Sequence, residues 1–221
     1  MHITPLSIDP AALHLGDSGA IRASGLHAST IYNSLYQDLE PDRYKVDAPM
    51  NPLLLETGII FEDILEEGLQ RRYVEHPTGN EYIERPAPLA FSDVWDGKSF
   101  TLTYSPDLFI YNHILRVGEI KATWLSSHIE HDWLKDVTQY EDNIREAIMG
   151  NQKLDKYWCQ LKFYMHMIGT RFGRLYACFI AGDYSRPFKS QLVTVDVEFS
   201  EDELESNYGM LMNHAIHRKL I

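Results

Sequence analysis

Ser105-Pro106-Asp107-Leu108-Phe109-Ile110-Tyr111-Asn112-His113-Ile114-Leu115-Arg116-Val117-Gly118-Glu119-Ile120-Lys121-Ala122 reads as two β-strands folded back on each other. Leu108–Tyr111 and Ile114–Val117 are apolar runs on either side of Asn112-His113, a pair suited to a tight turn. The second run continues into Glu119-Ile120-Lys121-Ala122. Side chains two apart on a strand share a face, so Glu119 and Lys121 point the same way. A turn at Asn112-His113 brings Asp107, at the start of the first strand, opposite that pair. Two carboxylates on an otherwise apolar sheet resist joint ionisation unless a cation sits between them. A hard divalent ion answers that need, because magnesium favours carboxylate and water oxygens. Lys121 can then polarise a water or stabilise charge on a phosphate undergoing attack. A solvated edge-strand pair is the competing reading for Glu119 and Lys121, but flanking Val117, Ile120 and Ala122 argue for burial.

Upstream, residues 1–20 carry Pro5, Pro10, Gly16 and Gly19 and read as a loose lead-in. A short helix is expected from Ser29, a plausible N-cap, through Tyr36. Prolines 41, 49 and 52 mark a loop, and Leu53–Tyr73 has helical apolar spacing. Residues 76–90 look irregular, and Asp96-Gly97 is a hairpin turn signal. Downstream, 124–150 is expected to be a helical insertion, and a helix should span Leu154 to Ile168. Strands follow at 175–180 and 192–199. Ser200-Glu201-Asp202-Glu203 has capping-box spacing and opens a last helix to about Lys219. The order predicts one α/β (α+β) domain over 1–221, with a central mixed β-sheet flanked by helices.

Glu62 lies on the first long helix, one turn before Glu66. It can add a third carboxylate, although Glu56, Asp63, Glu66 and Glu67 make a solvated acidic face an alternative. Gln160 and Tyr164 are i, i+4 on their helix and share a face; both can donate hydrogen bonds to a phosphate or to site carboxylates. The set Pro106-Asp107, Glu119-x-Lys121 and Gln160-x-x-x-Tyr164 resembles the PD-(D/E)XK nuclease superfamily. The likeness is greatest to its RecB-like and lambda-exonuclease-like branch, whose core is restriction-endonuclease-like. Gly58 and Glu62 are similar to that branch's motif on its first core helix, and the likeness runs over about residues 24–199. It implies a metal-dependent DNA exonuclease using Mg2+ or Mn2+. Glu62, Asp107, Glu119 and the Ile120 backbone carbonyl would ligate the metal, and Asp107, Glu119 and Lys121 would be catalytic. Gln160 and Tyr164 would position DNA and the site. Arg22 and Ser24 are candidates to hold a phosphate or simply to begin a helix. Analogy with small stand-alone exonucleases suggests a phage source.

Composition narrows the alternatives. A net charge of -12 argues against a passive DNA coat, which needs Lys and Arg to neutralise phosphates. It suits a carboxylate-built metal site, and equally a noncatalytic acidic binding or decoy protein. A restriction- or repair-type endonuclease is the third reading. Two cysteines, Cys159 and Cys178, are too few for the four thiolates of an iron–sulfur cluster. No apolar run is long enough to cross a membrane, and Met1-His2-Ile3-Thr4-Pro5 lacks a basic region followed by an apolar stretch. A cytoplasmic protein is therefore expected, in the host cytoplasm if phage-encoded. Its partner is expected to be DNA ends, single-stranded ones included; homo-oligomerisation stays open. His128 and His131 have i, i+3 spacing but no third zinc ligand. Trp124, Trp133, Tyr140 and Trp158 are base-stacking candidates that more often belong to a core. The basic groupings Arg71-Arg72 and Lys153, Lys156, Lys162 read as solvated faces.

Overall fold

The computed structural model describes residues 25–42, 44, 52–75, 81–126, 155–181 and 191–221, with the backbone alone at 52–56, 72–75, 123–126, 178–181 and 191–193. These form β1 (Leu26–His27), α1 (Ala28–Leu39), α2 (Pro52–Glu75), β2 (Tyr82–Glu84), β3 (Leu89–Trp95), β4 (Lys98–Tyr104), β5 (Leu108–Asn112), β6 (Ile114–Ser126), α3 (Asp155–Ile168), β7 (Phe172–Ala181), β8 (Gln191–Glu198) and α4 (Glu201–His217). The architecture is α+β, as expected, but with two mixed sheets in place of one.

The larger sheet has the order β2-β5-β6-β7-β8. β6 and β7 run parallel, and the other neighbours are antiparallel. β6 occupies the centre because it is apolar on both sides: Val117 faces one layer and Ile120 the other, each 1% exposed or less. The smaller sheet, β1-β4-β3, closes at Asp96-Gly97, where both residues adopt positive φ (49° and 75°). That is the turn the Asp-Gly pair predicts.

Helices cover the larger sheet on both faces. Leu65 and Leu69 of α2 pack with Ile83, Leu108, Ile110, Ile120 and Tyr176. On the opposite face, α1, α3 and α4 share a core with Val117, Leu175, Ala177 and Val197. α3 lies close at one point of β7, where Gly173 carries no side chain. A Cβ at Gly173 would stand 2.7 Å from Met165 Sδ and 3.3 Å from both Leu161 methyls. The helix ends at Gly169, φ 74°, with the Thr170 N–H donating to the Met165 carbonyl at 3.0 Å. Thr170 Oγ1 donates to the Leu115 carbonyl at 2.7 Å, tying this end to β6.

Several expectations need correction. α1 begins at Ala28; its N-cap is His27, which makes no side-chain cap bond, so Ser29 lies inside the helix. β6 is one strand of 13 residues, so Trp124, Leu125 and Ser126 are strand and not the start of a helical insertion. Pairing of Ser126 with Ala181 on β7 supplies the ladder that local sequence does not reveal. Part of the expected irregular stretch also pairs, as β2 against β5 and as the start of β3 against β4. The Ser200 capping box is present, with the Glu203 N–H donating to Ser200 Oγ at 3.2 Å and the Ser200 N–H to Glu203 Oε2 at 2.8 Å. The lead-in over 1–20 and residues 127–150 of the expected insertion lie outside the described residues.

Candidate active site

β5 and β6 pair in the register Leu108↔Gly118, with a single-residue reversal at His113, φ 55°. That register extends the ladder so that Asp107 comes opposite Glu119. Asp107 Oδ2 accepts a 2.7 Å hydrogen bond from the Ile120 N–H, which pins the carboxylate to the neighbouring strand. Glu119 and Lys121 project from the same face of β6. Lys121 Nζ pairs with Glu119 Oε1 and lies 3.7 Å from Asp107 Oδ2. It also donates to the Ile120 carbonyl at 2.9 Å. The sequence thus brings together the three charged groups it predicts, with the Ile120 carbonyl among them.

Glu119 is fully buried, where an apolar side chain would be expected. From α3, Gln160 Nε2 donates to Glu119 Oε1 and stands 3.3 Å from the Tyr164 hydroxyl. Gln160 and Tyr164 are themselves buried, one helical turn apart. Glu119 Oε2 has no hydrogen-bond partner. A buried carboxylate oxygen without a donor is costly unless something else binds it.

Electrostatics reflect the crowding. Burial raises Glu119 well above the carboxylate range; Asp107 adds to this and Lys121 offsets only part of it. Burial opposes charge on Lys121, but Glu119, Asp107 and Glu62 outweigh it and hold the ammonium well above its usual range. Glu62 reaches the same field from α2. Burial raises its carboxyl, Lys121 lowers it, and Asp107 raises it again. Glu66, one turn on, is occupied elsewhere: it pairs with Arg85 Nη1 at 3.0 Å.

Among the described residues no three His, Cys, Asp or Glu side chains form a ready-made ion cage. The Lys121 ammonium lies between the two strand carboxylates. The donor chemistry nevertheless fits a hard divalent cation. Among the described residues three carboxylates act on the Lys121 ammonium, and a buried oxygen is unused. Glu62, Asp107, Glu119 and the Ile120 carbonyl are the oxygen donors available.

Other sequence candidates fall away from this centre. Arg22, Ser24, His128, His131, Trp133 and Tyr140 lie outside the described residues, as does the side chain of Trp124. Trp158 is 4% exposed in the core, so it is no stacking platform. Arg71 pairs with Glu67 at 2.9 Å, and Lys156 and Lys162 lie over the rings of Tyr44 and Phe199 at 5.1 and 4.5 Å. Arg71 is a solvated side chain, as the sequence suggests, whereas the two lysines cap aromatic rings.

Sequence reasoning missed Tyr32. It lies in the buried stripe of α1 with Ala28, Ile31, Leu35 and Tyr36. Burial raises its hydroxyl above the usual phenol range, Glu119 and Asp107 add to this, and Lys121 offsets part of it. The available signal was a phenol within an apolar helical stripe, since a buried Tyr hydroxyl usually finds a partner.

No family model matches the chain, and no curated protein sequence matches it either. Solved structures do show similarity. The crystal structure of SSO0001 is 14% identical, with a TM-score of 0.45, covering 87% of this chain and 77% of that one. An alkaline exonuclease from Laribacter hongkongensis, LHK-Exo, is 14% identical with a TM-score of 0.45, covering 88% and 89%. The same exonuclease in complex with dAMP gives 0.46 over the same shares at 14% identity.

Proposed function

We propose that this chain is a divalent-metal-dependent deoxyribonuclease of the PD-(D/E)XK kind, hydrolysing phosphodiester bonds at DNA ends. The observation that carries the reading is the fully buried Glu119, with an unpartnered Oε2, meeting Asp107 and Lys121 across one hairpin. Glu62, Asp107, Glu119 and the Ile120 carbonyl would hold Mg2+ or Mn2+. Such an ion supplies Lewis acidity, neutralises charge on the scissile phosphate and makes water a better nucleophile at neutral pH. The chain's own groups do the rest. Lys121 orients the attacking water and stabilises the charge that develops on the phosphate oxygens. Asp107, fixed by the Ile120 N–H, and Glu119, fixed by Gln160, keep their oxygens in place without reorganisation. Gln160 and Tyr164 position the site, and the acidic remainder of the chain is compatible with DNA because a bound cation inverts the local charge.

The test is cleavage of end-labelled linear DNA and of covalently closed circles, with magnesium, manganese or chelator, for the wild type and Lys121→Ala. Linear DNA should shorten from its ends only with metal, circles should survive, and Lys121→Ala should be inert. Degradation in chelator, or by Lys121→Ala at the wild-type rate, overturns the mechanism. Cut circles assign an endonuclease instead, and inertness with both metals leaves a noncatalytic acidic binding protein.

A further inference from the structure

Arg85 stands beside the carboxylate centre and is only half engaged. It follows β2 directly, and the β2–β5 register, Ile83↔Ile110 and Glu84↔Phe109, leads it to Leu108, the neighbour of Asp107. Paired strands lie about 5 Å apart, so Arg85 flanks β5 on the side away from Glu119. Its Nη1 lies 3.0 Å from Glu66 Oε2 and 3.5 Å from Asp63 Oδ1, on the turn of α2 that carries Glu62. The residue is thus tethered twice: its backbone beside the strand of Asp107, its head beside Glu62. Its charge reaches Glu62, whose carboxyl it lowers, as Lys121 does. Among the described residues both contacts use Nη1 alone, and the side chain is 63% exposed. Nε and Nη2 therefore keep donors for a second partner. Release from α2 is easy, because exposed ion pairs are weak. Glu66 Oε1 still accepts from Gln70 Nε2 at 3.2 Å when Arg85 turns away.

We propose that Arg85 is a substrate-binding residue: its guanidinium turns from Asp63 and Glu66 to fork a DNA phosphate that neighbours the scissile one. A planar guanidinium matches two phosphate oxygens, and such pairs are short and strong. The chain has need of it. Its net charge is -12, and Lys121 is already shared between Asp107 and Glu119. A phosphate beside a metal held by Glu62 would otherwise meet Asp63 and Glu66, one residue and one turn along α2. Arg85 lies across those two acids, and the phosphate takes their place on it. This inference rests on the metal-dependent reading above and adds the residue that holds the strand beside the cut.

The experiment follows Mg2+-dependent cleavage of end-labelled linear DNA by the full chain at several salt concentrations. Mn2+ binding, by electron paramagnetic resonance of the free ion, and melting, by circular dichroism, are measured alongside. The wild type, Arg85→Ala, Arg85→Lys and Arg71→Ala are compared. Arg71 is a comparably exposed arginine of α2 that pairs with Glu67, further along the helix from Glu62. Arg85→Ala should raise KM by about tenfold and keep kcat within about threefold, as loss of one charge-assisted pair to bound substrate requires. Its KM should also respond less steeply to salt, by roughly one unit of log–log slope, because one fewer phosphate is neutralised. Arg85→Lys should restore the salt slope but only part of KM, since an ammonium keeps the charge without the fork. Arg71→Ala should behave like the wild type, Mn2+ affinity should fall in none of the variants, and melting temperatures should stay within about 3 °C. The proposal is overturned if Arg85→Ala leaves KM and its salt slope unchanged, if Arg71→Ala raises KM equally, if Mn2+ binding weakens with KM, or if Arg85→Ala melts far lower. A wild type that cleaves with metal beside a normal Arg85→Ala sinks only this inference. A wild type inert with both metals sinks it together with the nuclease reading.

Discussion

Two ionic clusters are built on the same sheet and come to opposite ends. On one face Lys121 meets Asp107 and Glu119, with Glu62 in its field. On the other face Arg174 of β7 pairs with Asp196 of β8 and with Glu81 at 3.5 Å, and Arg116 of β6 lies 3.9 Å from Asp196. Among the described residues the second cluster sets two guanidiniums against two carboxylates, and its fork geometry stitches neighbouring strands together. In the first, three carboxylates act on the one ammonium of Lys121 among the described residues. The two differ, among the described residues, in the sign of the imbalance and in the atom left open: Glu119 Oε2 in the first cluster, and a donor, Arg116 Nη1, in the second.

The contrast can be broken most directly at Lys121. Lys121→Ala should lower metal-dependent cleavage by about 100-fold or more, in line with loss of one preorganised charge stabiliser. In chelator it should also destabilise the fold by about 3–5 kcal/mol in denaturant titrations, because Glu119 is left buried without its ion pair. If the variant cleaves normally, the first cluster is as structural as the second. Arg174→Met tests the other side. It should cost about 2–3 kcal/mol of stability, below the value for wholly buried pairs because Asp196 is half-exposed, and leave Mn2+ affinity intact. A loss of affinity there would join the two clusters into one.

Gly173→Ala sharpens the comparison, since α3 touches only the Glu119 face. Its new methyl meets the movable end of Met165, so a loss of about 1–2 kcal/mol is expected. Mn2+ binding should weaken as Gln160 shifts.

The smallest effect is a pH slope. Burial raises the Glu119 carboxyl well above its ordinary 4.5. Between those two values the folded chain holds more protons than the unfolded one, so stability falls as pH rises through that window. In chelator the melting temperature should therefore climb as pH is lowered from neutrality toward 5. Saturating Mg2+ should raise the melting temperature at neutral pH and flatten the slope. A slope that persists unchanged with Mg2+ places the titrating group elsewhere.

Much of the centre was legible because its rules are local. A tight turn and a two-residue period put Asp107, Glu119 and Lys121 together, and an i, i+4 period put Gln160 beside Tyr164. The Ser200 cap is equally local. What stayed hidden depends on partners far along the chain. Tyr32 joins the shared core only when α1 packs against α3. β2 is three residues long and is held as strand by β5. The extension of β6 to Ser126 is dictated by β7, and the Arg174 cluster draws on three strands and the Glu81 approach, none of which announces the others.

The Lys121 ammonium, bonded to the Ile120 carbonyl and shared between Asp107 and Glu119, also bears on the order in which the protein is assembled. A cluster of bare carboxylates would make the hairpin wait for an ion before its strands could close. Here the chain carries a cation of its own among the carboxylates, so the hairpin can close without an added ion, and on the proposed reading loading would follow as an exchange.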